Sequence, residues 1–558
     1  MFIRSQKSGD RTYLQLVENH REGSKVVQRT LANLGRLDFL QESGQLDSLL
    51  RSGLKFSQRL LVLDAHARGE CTKTQSEKIG APLLFEKLWE QTGIKSVLGA
   101  MLNNRRFEFS VERALFVTVL HRLFSPGSDR AAEKWMQRYA IEGIDNLQLH
   151  HFYRAMSWLG EINFNGGKEY WDHTPYRNKD FIEESLFALR RTLFTDLELV
   201  FLDTTSIYFE GEGGIHIGAY GNSKDHRPDL KQMVVAIVVD NEGNPLCSEM
   251  LPGNTTDVTT LVPIAKRLKE RFGIERICIV ADRGMISEDT MADLEKLGWQ
   301  YILGARMRRS EEVRNDVLLR GGKFTVVHPE RSKPSQPAPL QVKEVTVNKH
   351  RYIVCHNEEQ ARKDRHDREM IVESLRNQLR QGDKSLVGNK GYRKYLKAVH
   401  TRFEVDEDKI LDEELFDGKW VLRTNTELGA AEVALKYKQL WMVEEIFRTM
   451  KSILETRPIY HQLDETITGH VFCSFLAMVL RKQLQDRIDK KGWKLEWADI
   501  VNDVDAIQQV QVTHQDKSFV IRTETKGVAG KVFQAAGVAL PPVLLEAEKC
   551  ATTSVPIA

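Results

Sequence analysis

Two aspartates and one helical stripe are the residues of this chain whose types and spacing could do chemistry. Asp203 directly follows the apolar run Leu197 to Leu202, and Asp282 directly follows Ile277 to Ala281. A buried strand fixes its backbone while a carboxylate at its end faces a cleft, a geometry suited to holding a metal ion. Aspartate is also a common turn former and helix cap at such places, so the pair needs a third partner. The spacing of apolar residues predicts a long helix from about Leu428 to Leu454. Positions seven apart on a helix drift by only about 20°. Tyr437, Glu444 and Lys451 therefore share one stripe: a phenol, a carboxylate and an ammonium. The same stripe also describes a solvated, salt-bridged face.

The elements that must position these groups are short and apolar. The runs Leu197 to Leu202, Met233 to Val239, Ile277 to Ala281 and Tyr301 to Ala305 read as buried strands of a mixed sheet with helices on its faces. Gly243-Asn-Pro turns the chain after the second run, and an amphipathic helix from Ser287 to Leu297 separates the last two. Upstream, Ala81 to Phe194 is helical in pattern. Its clearest helix, Val111 to Phe124, stops at Ser125-Pro-Gly, and another starts at Ser128. Such short helices either present one of their number to a DNA groove or serve only as a bundle. The first 36 residues predict a hairpin, Thr12 to Val17 and Lys25 to Leu31 around a polar turn from Asn19 to Ser24.

Residues 309–414 interrupt the sheet rhythm. They hold a Pro/Ser-rich stretch (Pro329 to Pro339), a hairpin (Val342 to Val347, Arg351 to Cys355) and a charged helix (Asp367 to Gln381). A strand from Lys419 to Arg423 and a buried helix from Ile467 to Gln485 follow, and a short mixed module lies beyond Lys491.

Length and charge bound the rest. At roughly 150 residues per domain, 558 residues suggest three or four folding units. Lys and Arg number 80 against 78 Asp and Glu, so any affinity for a polyanion has to be local. The basic candidate is 361–402, where Asn389 to Lys397 interleaves aromatics with Lys390, Arg393, Lys394 and Lys397. Such a stretch either grips phosphates and stacks on bases or pairs with the acidic segment 404–417 beside it. The uncharged run Thr466 to Leu480 is too short to cross a bilayer. The N-terminus lacks the pattern of a secretory signal, and the six cysteines are scattered singly, so a reduced, cytoplasmic protein is expected.

The same residues resemble a family. Tyr437, Glu444 and Lys451 match the helix signature of DDE transposases of bacterial insertion sequences, Tyr-x2-Arg-x3-Glu-x6-Lys, with Leu440 at the Arg position. Phe201-Leu-Asp-Thr-Thr-Ser206 resembles that family's first aspartate strand, and Val280-Ala-Asp-Arg-Gly284 its second. Tyr220 to Asp229, Pro252 to Asp257 and Arg457-Pro-Ile-Tyr-His461 are similar to further family segments. The order agrees, with 79 residues from Asp203 to Asp282 and 162 from Asp282 to Glu444. The resemblance covers about 195–485.

It implies an α/β, RNase H-like mixed sheet flanked by helices, with a β-rich insertion subdomain and an N-terminal hairpin plus helical DNA-binding region. The divisions expected are 1–70 (hairpin region), 71–195 (helical, DNA-binding), 196–308 and 415–490 (the two parts of the core), 309–414 (insertion) and 491–558 (C-terminal module). It further implies DNA cleavage at element ends and strand transfer to target DNA. Asp203, Asp282 and Glu444 would be both catalytic and metal-binding. Converging carboxylates repel unless cations neutralise them, and oxygen ligands with a phosphate substrate point to two Mg²⁺ ions, with Mn²⁺ a substitute. Tyr437, Lys451 and Arg448 would hold phosphates near the scissile bond, with Lys390, Arg393 and Lys394 as outer backbone contacts. The partners are terminal inverted repeats, target DNA and a second copy of the chain. A metal-dependent nuclease on the same fold, or a transposase-derived protein that binds DNA without cutting, remain as alternatives. A glycosidase is disfavoured, since sugar-stacking aromatics are missing beside the aspartates.

Overall fold

The computed structural model describes residues 2–22, 25–54, 62, 65, 68–69, 72–103, 105–163, 174–190, 199–274, 277–327, 339–381, 394–399, 402–514 and 517–546. The chain divides into two compact units, one of 1–80, 498–533 and 539–558, the other of 81–497 and 534–538. Among the described residues no helix is long and apolar enough to cross a membrane.

The first unit holds two sheets. Phe2–Ser8, Arg11–Glu22 and Lys25–Arg36 form an antiparallel meander, so the predicted hairpin exists with longer strands and a third one beside it. The second sheet takes the order Leu544–Glu546, Lys517–Arg522, Gln508–His514, Thr72–Lys78. Its last strand comes from far upstream, a pairing that local patterning could not reveal.

The second unit is mixed α/β around a nine-stranded sheet. Its order is Thr325–Val327, Leu340–Val347, His350–His356, Lys419–Thr424, Gln300–Gly304, Cys278–Ala281, Leu199–Tyr208, Gln232–Val239 and Pro245–Pro252. Leu199–Tyr208, Cys278–Ala281 and Gln300–Gly304 run parallel, and every other neighbouring pair is antiparallel. The hairpin at 340–356 does not stand apart: it joins the sheet through Lys419–Thr424. The helix Asp257–Phe272 buries Leu261, Ile264, Ala265, Leu268 and Phe272, a three-and-four stripe, against Val200, Leu202, Ala236, Val238, Ile279 and Leu303. Strand residues alternate faces. Asp203 therefore points away from that helix, toward the face on which Trp441–Arg448 packs.

The helices 80–190 form where their apolar spacing predicts. Ser110 and Ser128 cap Val111–Phe124 and Asp129–Met136, each hydroxyl accepting from a backbone N–H three residues on. Val111–Phe124 is buried all round, with Arg113, His121 and Arg122 inside, so it has no face to offer a DNA groove. It packs on Asp464–Lys490, which also crosses Leu149–Gly160. A Cβ on Gly469 would lie 1.9 Å from the Met156 carbonyl oxygen, so the close crossing needs glycine.

Two expectations are corrected. The strand predicted to end at Leu202 continues to Tyr208, because Phe201 to Tyr208 pair with Gln232 to Val239. Asp203 thus lies inside a strand, not after it. The helix predicted from 428 to 454 is interrupted. Ala430–Lys438 ends, Trp441–Arg448 follows, and Thr449–Ile453 widens into a π-turn. Seven-residue spacing therefore does not hold Tyr437, Glu444 and Lys451 on one straight face. The Pro/Ser stretch before Pro339 lies outside the described residues.

Candidate active site

Asp203 sits half-buried in its strand, its Oδ1 accepting the Thr204 backbone N–H at 2.7 Å. Burial, helped by the negative charges of Asp282 and Asp257, pushes its carboxyl up to about 6, while Lys224 and the Thr204 N–H oppose the rise. Asp282 follows Cys278–Ala281 as expected and opens a single 3₁₀ turn, Arg283–Met285. Arg306 clamps that turn by donating to the carbonyls of Arg283 and Gly284, at 3.0 Å each. Tyr437 reaches across and donates its hydroxyl to Asp282 Oδ1 at 2.9 Å. Burial and the Asp282 charge raise the phenol above its ordinary value, so it remains a donor.

Tyr437 reaches Asp282 only because residue 304 is glycine. A Cβ there would stand 2.4 Å from the Tyr437 oxygen. Gly304→Ala is expected to break the Tyr437–Asp282 bond and lower cleavage by about tenfold, the worth of one bond to a charged group. Kinetics on the folded variant check this, and an unchanged rate would show that Tyr437 does not orient Asp282.

Glu444 is exposed on Trp441–Arg448, whose Val443 and Phe447 are buried. Asp203, Asp282 and Glu444 are not all within 4.8 Å of one another. Among the described residues, one group of three potential ligands is that tight: Asp129, His461 and His470. There His470 Nδ1 lies 3.0 Å from an Arg122 guanidinium nitrogen and 3.2 Å from His461 Nε2, while His470 Nε2 contacts the Thr456 carbonyl at 3.1 Å. The cluster is a satisfied polar network, its nearest ligand nitrogen already taken by a cation.

The other expected site residues divide. Lys451 lies in the π-turn and pairs with Asp225 at 2.7 Å, where Arg457 joins it. Burial, only partly offset by Asp225, holds the Lys451 ammonium below its ordinary value. Arg448 is exposed and pairs with Glu445. Lys394 pairs with Glu413, which also receives Arg308, so here the basic stretch meets its acidic neighbour. Lys390 and Arg393 lie outside the described residues.

Sequence reasoning assigned no role to Lys224, Asp225, Asp257, Arg306 or Arg457, although all but Arg306 fall in segments noted for their family resemblance. Lys224 donates to the Thr204 carbonyl (2.8 Å) and hydroxyl (3.0 Å) and pairs with Asp257 at 3.2 Å. The Thr204 hydroxyl donates to Asp257 at 2.6 Å. Arg457 arrives because Ile459 bridges to Phe209, at the end of the Asp203 strand.

The donors at this centre are carboxylate oxygens, and Asp203 carries a carboxyl raised first by burial and then by the charges of Asp282 and Asp257. That is the chemistry of a hard divalent cation.

Residues 195–480 match the family model described as the transposase DDE domain, and residues 3–67 match that of the IS1634 family transposase N-terminal domain. No curated protein matches the chain. Among solved structures it is similar to the piggyBac transposase synaptic complex with hairpin DNA, at 12% identity over 76% of this chain and 79% of that one, with a TM-score of 0.37. It is also similar to the Mos1 transposase paired-end complex with left transposon end, at 12% identity over 36% and 60%, with a TM-score of 0.15.

Proposed function

Since this chain belongs to the DDE transposases of bacterial insertion sequences, we propose that Asp203, Asp282 and Glu444 carry its chemistry. The protein is a DNA transposase, cleaving DNA and transferring the cut strand, and its DDE domain depends on a divalent metal ion. The observation that supports the site assignment is that the helix carrying Glu444 packs on the Asp203 strand while Tyr437, just before that helix, hydrogen-bonds Asp282 at 2.9 Å.

Within this reading 196–308 and 415–490 form an RNase H-like core. Its support is the strand sequence Pro245–Pro252, Gln232–Val239, Leu199–Tyr208, Cys278–Ala281, Gln300–Gly304, in which the last three run parallel. The insertion 309–414 extends that sheet, 1–70 and 71–195 contribute DNA contacts, and 491–558 is a separate module.

Asp203, Asp282 and Glu444 would hold two Mg²⁺ ions, which when bound supply the Lewis acidity for in-line displacement at phosphorus. Tyr437 would hold Asp282 in place through its hydrogen bond to Oδ1. Lys451, Arg448, Lys390, Arg393 and Lys394 are the backbone contacts of this reading, Lys451 and Lys394 exchanging their internal carboxylates for phosphate. Water first attacks the terminal phosphorus and the 3′ oxygen leaves as a hydroxyl. That hydroxyl then attacks a target phosphorus, displacing the target's own 3′ oxygen. Two ends joined together call for two copies of the chain.

Full-length protein with matched terminal-repeat DNA and Mg²⁺ is expected to give cleaved ends and strand-transfer products. Hydrolysis without transfer would favour the nuclease, and DNA binding without either the non-cutting reading. Glu444→Ala is expected to abolish both products while Glu445→Ala, about 100° round the helix, retains them. The reverse result would reassign the third acid.

A further inference from the structure

Lys224, Thr204 and Asp257 close a ring of polar contacts beside Asp203. The Lys224 ammonium donates to the Thr204 carbonyl and the Thr204 hydroxyl and forms an ion pair with Asp257 Oδ2. The Thr204 hydroxyl in turn donates to Asp257 Oδ1. The backbone is fixed as well, since the Lys224 N–H donates to the Ser206 hydroxyl at 2.7 Å. Asp257 is the first residue of the helix Asp257–Phe272, and its Oδ2 approaches Gly284 in the turn after Asp282. The ammonium is therefore held between Thr204 and Asp257, next to Asp203, and its charge lowers the Asp203 carboxyl against the rise that burial causes.

The geometry points to Lys224 as a resident counter-ion, a positioning residue that occupies the charge vacancy of the acidic centre until divalent ions and DNA arrive together. This inference rests on the reading of Asp203 and Asp282 as ion ligands. Two cations cannot neutralise the same carboxylates at full strength, so the ammonium weakens ion capture by the free protein. A DNA phosphate offers it another anion. DNA entry would draw Lys224 off Asp257 and leave the carboxylates to the ions, which couples ion affinity to DNA binding. The chain would then hold its ions weakly in the absence of DNA.

The test is Mn²⁺ titration of the full-length protein, followed by electron paramagnetic resonance, with and without terminal-repeat DNA. Lys224→Met is expected to bind Mn²⁺ on the order of tenfold more tightly than wild type without DNA, and to lose most of the further tightening that DNA brings. Lys224→Arg, which keeps the charge, is expected to stay within about threefold of wild type. Asp257→Asn, which removes an anion from the centre, is expected to bind more weakly than wild type. Circular dichroism confirms folding, and the Arg variant remains informative if the Met variant does not fold. Wild-type or weaker affinity in Lys224→Met, or more than tenfold tightening in Lys224→Arg, would overturn the counter-ion role while leaving the acid assignment intact. Mn²⁺ binding that Asp203→Asn does not diminish would overturn both.

Discussion

Asp203→Asn is expected to lose DNA cleavage by at least on the order of a thousandfold and yet to make the ion-free protein more stable at pH 7.5. On the proposed assignment the loss follows from removing a charged ligand from a centre whose rate depends on electrostatic stabilisation at phosphorus. The gain follows from the carboxyl's displacement up to about 6 from its ordinary 3.8, caused first by burial and then by Asp282 and Asp257. The sign is that of an acid whose folded value is raised. Below about pH 4 the group is protonated in both states and contributes nothing. Between about pH 4 and 6 the unfolded chain gives up the proton that the folded chain still holds, so stability falls across that window and levels off above it. The cost reaches at most about 3 kcal/mol above pH 6, at 1.36 kcal/mol for each unit. Asparagine removes it. Thermal melts of both proteins at pH 7.5 and pH 4.5 without divalent ions should show the variant ahead at the higher pH and the gap cut to about a third at the lower. Mg²⁺ should then stabilise wild type and leave the variant unmoved. A variant that cuts normally, or that melts below wild type by the same margin at both pH values, would remove Asp203 from the centre.

The second large effect lies away from the chemistry. Arg271, at the far end of the helix that begins with Asp257, is wholly buried among acids. It donates to Glu249 at 3.1 Å, to the Asp180 carbonyl at 3.1 Å and to Glu184 at 3.3 Å, and it pairs with Glu183. Lys179, also buried, holds Asp180 at 2.6 Å and the Ser248 carbonyl at 2.7 Å, while the Ser248 N–H and hydroxyl both donate to Glu183 at 2.8 Å. The network ties Asn178–Arg190, Asp257–Phe272 and Pro245–Pro252 together. Arg271→Ala removes the cation shared by four acids, Asp180, Glu183, Glu184 and Glu249, and breaking a buried network in this way costs about 3–5 kcal/mol. Urea unfolding at pH 7 should show the loss as a lower midpoint. Because the helix carries Asp257, the folded fraction should also bind Mn²⁺ less tightly. A midpoint within experimental scatter of wild type would mean that the acids find other partners.

Much of the catalytic unit is legible in one dimension, because strands and capped helices are local physics. Met233 to Val239, Ile277 to Ala281 and Tyr301 to Ala305 match observed strands to within a residue, and Val111–Phe124 begins and ends where Ser110 and Ser125 say it should. Asp282 follows its strand for the same reason. Apolar periodicity and a hydroxyl at a helix start act over a few residues, so the sequence carries them.

Other features depend on partners brought from far away. Thr204, Thr205 and Ser206 look polar enough to end a strand, but pairing with Val234, Val235 and Ala236 keeps them in one and draws Asp203 inward. The break between Ala430–Lys438 and Trp441–Arg448 and the π-turn that follows leave Tyr437 on Asp282 and Lys451 on Asp225, off the single face that an unbroken helix would have given them. The residues by themselves determined which acids to watch and what chemistry acids of that kind can do. Only the tertiary structure decided that Lys224 and Asp257 stand with them, because Coulomb interactions act through space and the loops that deliver those two side chains carry no periodic signal.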